Sequence, residues 1–158
     1  MDTASLLQSL RAAIESIAPG PETLARRETR AEQEAWCALL MEVARIDSKG
    51  AQNKRGAVAQ ALRERFGLAD EELLPMIENA GLPQNRLTSY FPPVALLNKR
   101  RAPGEKAQFV ERLWRVAMAD GNIDMYEEQL VRTLAELLYV SHADFILAKH
   151  RAQSGGAY

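Results

Sequence analysis

The sequence predicts an all-α protein: a compact bundle of about seven to eight helices with an internal two-fold pseudo-repeat of helical hairpins. Three observations carry that expectation. Good helix formers (Ala, Leu, Glu, Arg, Gln) dominate, while β-branched and aromatic residues are sparse. Apolar residues recur at helical spacing and show no sustained alternation of the kind a half-buried strand needs. Finally, Leu40-Met41-Glu42-Val43-Ala44-Arg45-Ile46-Asp47 lines up with Leu113-Trp114-Arg115-Val116-Ala117-Met118-Ala119-Asp120, and residues 63–70 face 136–143 in the same register. In both copies a helix ends at or near an Asp, a tight turn follows, and a second helix returns.

Leu6, Leu7, Leu10, Ile14 and Ile17 predict a first helix, which Ala18-Pro19-Gly20-Pro21 stops. The second is expected from about Glu22 to Ile46. Its first half, through Arg26, Arg27, Glu28, Arg30, Glu32 and Glu34, reads as charged and solvated; Trp36, Leu39, Leu40, Val43, Ala44 and Ile46 then form a buried stripe. A third helix, roughly Lys54 to Phe66, ends at Gly67, a residue suited to the left-handed cap. Leu68-Ala69-Asp70-Glu71-Glu72 opens a fourth, with acids in the first turn where the helix dipole favours them. Residues 81–103 are irregular, with Pro92-Pro93 starting a short helix through Val94, Leu96 and Leu97. After Pro103 a helix buries Phe109, Leu113, Trp114, Val116 and Ala117 and ends at Gly121. The next carries Leu130, Val131, Leu134, Leu137 and Leu138, and Ser141-His142-Ala143-Asp144 caps the last. A loose tail is expected at residues 151–158.

At 158 residues the chain has the size of one ordinary domain, and 47% apolar against 26% charged residues is a globular balance. Twenty basic and 21 acidic side chains argue against a nucleic-acid binder, which needs clustered Lys and Arg. One cysteine, Cys37, excludes an intramolecular disulfide, and with two histidines it excludes a thiolate zinc cluster. No run of about 18 uncharged apolar residues occurs, so an integral membrane protein is not expected. The start, Met1-Asp2-Thr3-Ala4-Ser5-Leu6-Leu7, lacks a basic n-region and apolar h-region, and a cytoplasmic location is expected.

The chemistry concentrates in Asp120-Gly121-Asn122-Ile123-Asp124-Met125-Tyr126-Glu127. Two readings fit these residues. In one, Gly121 is a helix stop and Asp124-x-x-Glu127 caps the next helix, with Glu128 adding to the dipole interaction. In the other, carboxylates crowded by a tight turn bind a hard divalent cation, Ca²⁺ or Mg²⁺, which relieves their repulsion. The segment is not an EF-hand, since it lacks alternating Asp/Asn at loop positions 1, 3 and 5 and the terminal bidentate Glu.

Ala119-Asp120-Gly121-x-Ile123-Asp124-x-x-Glu127, preceded by Leu113-Trp114-Arg115-Val116-Ala117, resembles the TerB-like family associated with tellurite resistance. Val140-Ser141-His142-Ala143-Asp144-Phe145 is similar to the start of that family's closing helix. The resemblance implies a TerB-like helical domain over residues 35–150, preceded by a helix and the charged start of helix two at residues 1–34. It also implies a divalent-metal site built from acidic turns, with Asp120, Asp124 and Glu127 matching the pattern. The first hairpin departs from it: Asp47 remains, but Ala51 stands for the second Asp and Lys54 for the Glu. Lys49 or Lys54 is therefore placed to replace a cation by pairing with Asp120 or Asp124.

The expected function is a non-catalytic module acting as a cation-binding or scaffolding component of a stress response, with a protein partner. A metal-free adaptor is the alternative, and a carboxylate-metal hydrolase the third reading. No nucleophile–base set, phosphate loop or cofactor fingerprint stands in the sequence. His142 and His150 read as helix-end residues and Cys37 as core. Lys99-Arg100-Arg101 reads as a solvated loop. Tyr90-Phe91-Pro92-Pro93 is either an exposed docking site or an anchor for an irregular connection.

Overall fold

Each expected helix has a counterpart in the computed structural model, which describes residues 2–17, 20–47 and 50–155, apart from the side chains of residues 15–17 and 23. The stop at Ala18-Pro19, the packing of Ile17, any pairing of Lys49, and residues 156–158 of the tail lie outside the described residues. Eight α-helices run through the described residues: α1 Thr3–Ile17, α2 Pro21–Ala44, α3 Ala51–Phe66, α4 Asp70–Ala80, α5 Phe91–Arg100, α6 Pro103–Ala117, α7 Met125–Leu137 and α8 His142–Gln153. A single 3₁₀ turn, Pro83–Asn85, interrupts the α4–α5 connection, and no strand occurs among the described residues. None of the described helices is long and apolar enough to cross a membrane.

Two units make up the chain, Met1–Ala31 and Glu32–Tyr158. The first holds α1 and the opening turns of α2, and Leu6, Leu7, Leu10, Ile14 and Leu24 are exposed. The second contains the core. Trp36, Leu39, Leu40 and Val43 of α2 meet Val58 and Leu62 of α3, Leu73 of α4, Leu97 of α5, Phe109, Leu113 and Trp114 of α6, Val131 and Leu134 of α7, and Phe145 of α8. Helix α6 is central, packing against α3, α7 and α8. Trp36 stands edge-on to Phe109 at 4.6 Å and to Phe66 at 5.4 Å, the geometry that aromatic quadrupoles favour. Cys37 is buried beside them, as its place on the apolar stripe predicts.

Two sequence expectations are corrected. Glu32, read as part of a solvated half-helix, is buried and accepts a hydrogen bond from Arg101, with Arg65 3.7 Å away. The Lys99-Arg100-Arg101 run is not a solvated loop. Lys99 and Arg100 form the last turn of α5, where the dipole favours cations, and Arg101 bridges Glu32 and Glu105. The Glu32–Arg101 link spans 69 residues and is invisible along a helix, whereas Arg101–Glu105 spans 4.

Candidate cation site at the acidic turn

Asp124 caps α7 in the way its spacing predicts. Its backbone is extended (φ −74°, ψ 146°) and its carboxylate accepts the N–H of Tyr126 at 2.8 Å. Asp120 closes its own turn by accepting the N–H of Asn122 at 3.2 Å. Glu127, in the first turn of α7, behaves differently. Instead of staying in water beside the helix terminus, its side chain is fully buried.

Burial is possible because Lys54, in the first turn of α3, arrives from the other hairpin and is also fully buried. Its Nζ donates to Glu127 Oε1 at 3.0 Å and to the Asp47 carbonyl oxygen at 3.5 Å, and lies 3.8 Å from Asp120 Oδ2. The three N–H groups of the ammonium thus face three oxygens. Gly50 lets the turns approach: it has φ +70°, and a Cβ there would come within 2.5 Å of Asp120 Cβ.

Of the four expected site residues, Asp47, Asp124 and Glu127 bring carboxylate oxygens within 4.8 Å of one another, while Asp120 is directed to Lys54. Glu127 Oε2 is buried with no hydrogen-bond partner among the described residues. Burial pushes the Glu127 carboxyl above the usual carboxylate range; the Lys54 ammonium and a hydrogen bond from the Asp124 backbone oppose that shift, and the Asp120 carboxylate adds to it. The all-oxygen donor set and the orphaned Oε2 suit a hard cation. His142 begins α8 and His150 lies in its last turn, and neither belongs to this group.

A second feature surrounds Tyr90-Phe91-Pro92-Pro93, which the sequence offers as a docking site or an anchor. Glu42, buried in α2, accepts hydrogen bonds from Arg45 at 2.8 Å and from the backbone N–H of Leu87 at 2.9 Å. Arg45 donates in turn to the carbonyls of Ala80 and Leu82. These bonds pin the α4–α5 connection, and with α5 and the end of α7 it forms an apolar groove of about 780 Å³. Leu87, Tyr90, Phe91, Val94, Leu137 and Tyr139 line it. Burial, and then the nearby Glu42 carboxylate, raise the pKa of Tyr90. Asn98 ties the groove together by donating to the Leu137 carbonyl at 3.0 Å. Phe91 and Tyr139 remain 75% and 82% exposed.

These features define a class of protein: an α-helical unit in which an acidic turn between two helices is closed by charge from a second turn. Residues 33–150 match the family model described as Tellurite resistance protein TerB, and the chain belongs to the TerB family. No curated protein and no solved structure gives a match.

Proposed function

We propose that this chain is a non-catalytic TerB-family module, a scaffolding component of a tellurite-type stress response that engages a protein partner through the groove beside α5. The observation that carries this reading is Tyr139. It follows α7 with φ +59°, a left-handed conformation that normally selects glycine and that costs a bulky residue about 1–3 kcal/mol. An aromatic ring held there, exposed and lining the same groove as the exposed Phe91, favours contact with a partner over stability.

The double variant Phe91→Ser/Tyr139→Gly tests the groove, because both side chains are exposed and glycine suits the backbone at 139. It should keep the wild-type melting temperature or exceed it, and lose a protein partner that the wild type retains on affinity purification. Equal recovery of that protein by the variant would remove the groove from consideration.

A second reading is favoured by Glu127 Oε2 and its neighbours: weak binding of Ca²⁺ or Mg²⁺ by Asp47, Asp124 and Glu127. Such an ion would supply electrostatic cross-linking of the two turns. Calorimetric titration of chelator-treated protein should show saturable binding that Asp124→Asn weakens. Asparagine keeps the helix cap but removes the charge, so loss of binding would not reflect loss of the helix. A flat titration of the wild type would sink this reading.

A further inference from the structure

We propose that Lys54 is a tethered cation that takes the place of a divalent ion at this junction, joining the two turns without metal and holding metal affinity down. This rests on the second reading above in one respect, that the acid cluster is a place where positive charge belongs.

The position of Lys54 is unfavourable on every count except charge. It is wholly buried, where an ammonium loses its hydration. It also lies in the first turn of α3, the end at which the helix dipole opposes a cation. An apolar residue would fill the same space without either cost. What offsets both is the set of oxygens around Nζ: Glu127 Oε1, Asp120 Oδ2 and the Asp47 carbonyl. Those oxygens come from both turns, so the ammonium does what a bridging ion does, through a covalently attached charge.

The spacing makes the exchange specific. Lys54 follows Asp47 by seven residues, as Glu127 follows Asp120. The two side chains at corresponding places in the turns therefore meet as a pair of opposite sign, 3.0 Å apart. An acid at position 54 would meet Glu127 as a like charge instead, and that pair would need a shared proton or a cation between them.

The test uses Lys54→Glu, with Lys54→Gln as a variant of gentler charge change, and Ca²⁺ and Mn²⁺ as probes in calorimetry and thermal melts. For the wild type, chelator should leave the melting temperature unchanged. Both variants should melt lower in chelator, and saturating Ca²⁺ or Mn²⁺ should raise them by about 5 °C or more. Lys54→Glu should bind at least about tenfold more tightly than the wild type. A wild-type melting temperature that falls in chelator would overturn the proposal while supporting the cation reading. Variants that bind no better than a wild type that does bind would also overturn it. Binding by Lys54→Glu alone would support the proposal and discard the cation reading for the native chain, and absence of binding in all three proteins would discard both.

Discussion

Lys54→Met should lower the unfolding free energy by about 3–5 kcal/mol, the usual cost of leaving a buried charge without its partner. Methionine is close to lysine in volume and only one heavy atom shorter, so most of the loss reports charge rather than a cavity. The stranded group is Glu127, fully buried and already near the Asp120 carboxylate. Glu127→Gln should cost less, because the ammonium keeps Asp120 at 3.8 Å and the Asp47 carbonyl. The double variant Lys54→Met/Glu127→Leu should regain much of the loss, since replacing both partners by apolar groups is often close to neutral. Urea denaturation of the wild type, Lys54→Met, Glu127→Leu and the double variant completes the cycle. If the double variant is as unstable as the sum of the singles, the pair is not acting as a unit.

The second large effect is expected at Trp114. Its indole is fully buried in α6, 5.2 Å from the Phe145 ring, with the Lys149 ammonium 5.1 Å from the ring centre. It therefore joins the central helix to α8. Trp114→Ala should cost about 3–5 kcal/mol, from lost transfer energy and the cavity left behind. Trp114→Phe should cost much less, because the indole N–H has no hydrogen-bond partner among the described residues and only volume is removed. Equilibrium urea unfolding followed by far-UV circular dichroism measures both. Equal losses in the two variants would show that a phenyl ring cannot replace the packing of the indole between α6 and α8.

The helices were legible because their signals are local. Pro92-Pro93 and Pro103 mark the starts of α5 and α6, Gly67 supplies the left-handed cap of α3, and Ser141 caps α8 by accepting the Asp144 N–H at 3.1 Å. The buried faces of α2 and α6 follow directly from 3.6-residue spacing. The acidic turn was recognisable by composition, and its resemblance to TerB extended the reading to the family.

Less of the site could be read. Asp124 could be assigned to capping from its spacing, but Glu127 carries the same first-turn signal while its side chain turns into the core. Lys54 and Glu127 are 73 residues apart, and Glu32 and Arg101 are 69 apart. Nothing in the periodicity of either helix says that such residues meet. Nor does it say that Tyr139, which looks like one more aromatic beside an apolar run, sits in a glycine-like conformation at the lip of a groove.

The sequence by itself determined the helical class, the order of the helices, the apolar stripes of α2 and α6 and the family, because these are written in local patterns of neighbouring residues. The tertiary structure alone decided that an ammonium sits fully buried between two acidic turns and that an aromatic groove stays open. The reason is physical: an isolated buried charge is untenable, so a lysine reads as exposed until the fold brings distant oxygens to surround it.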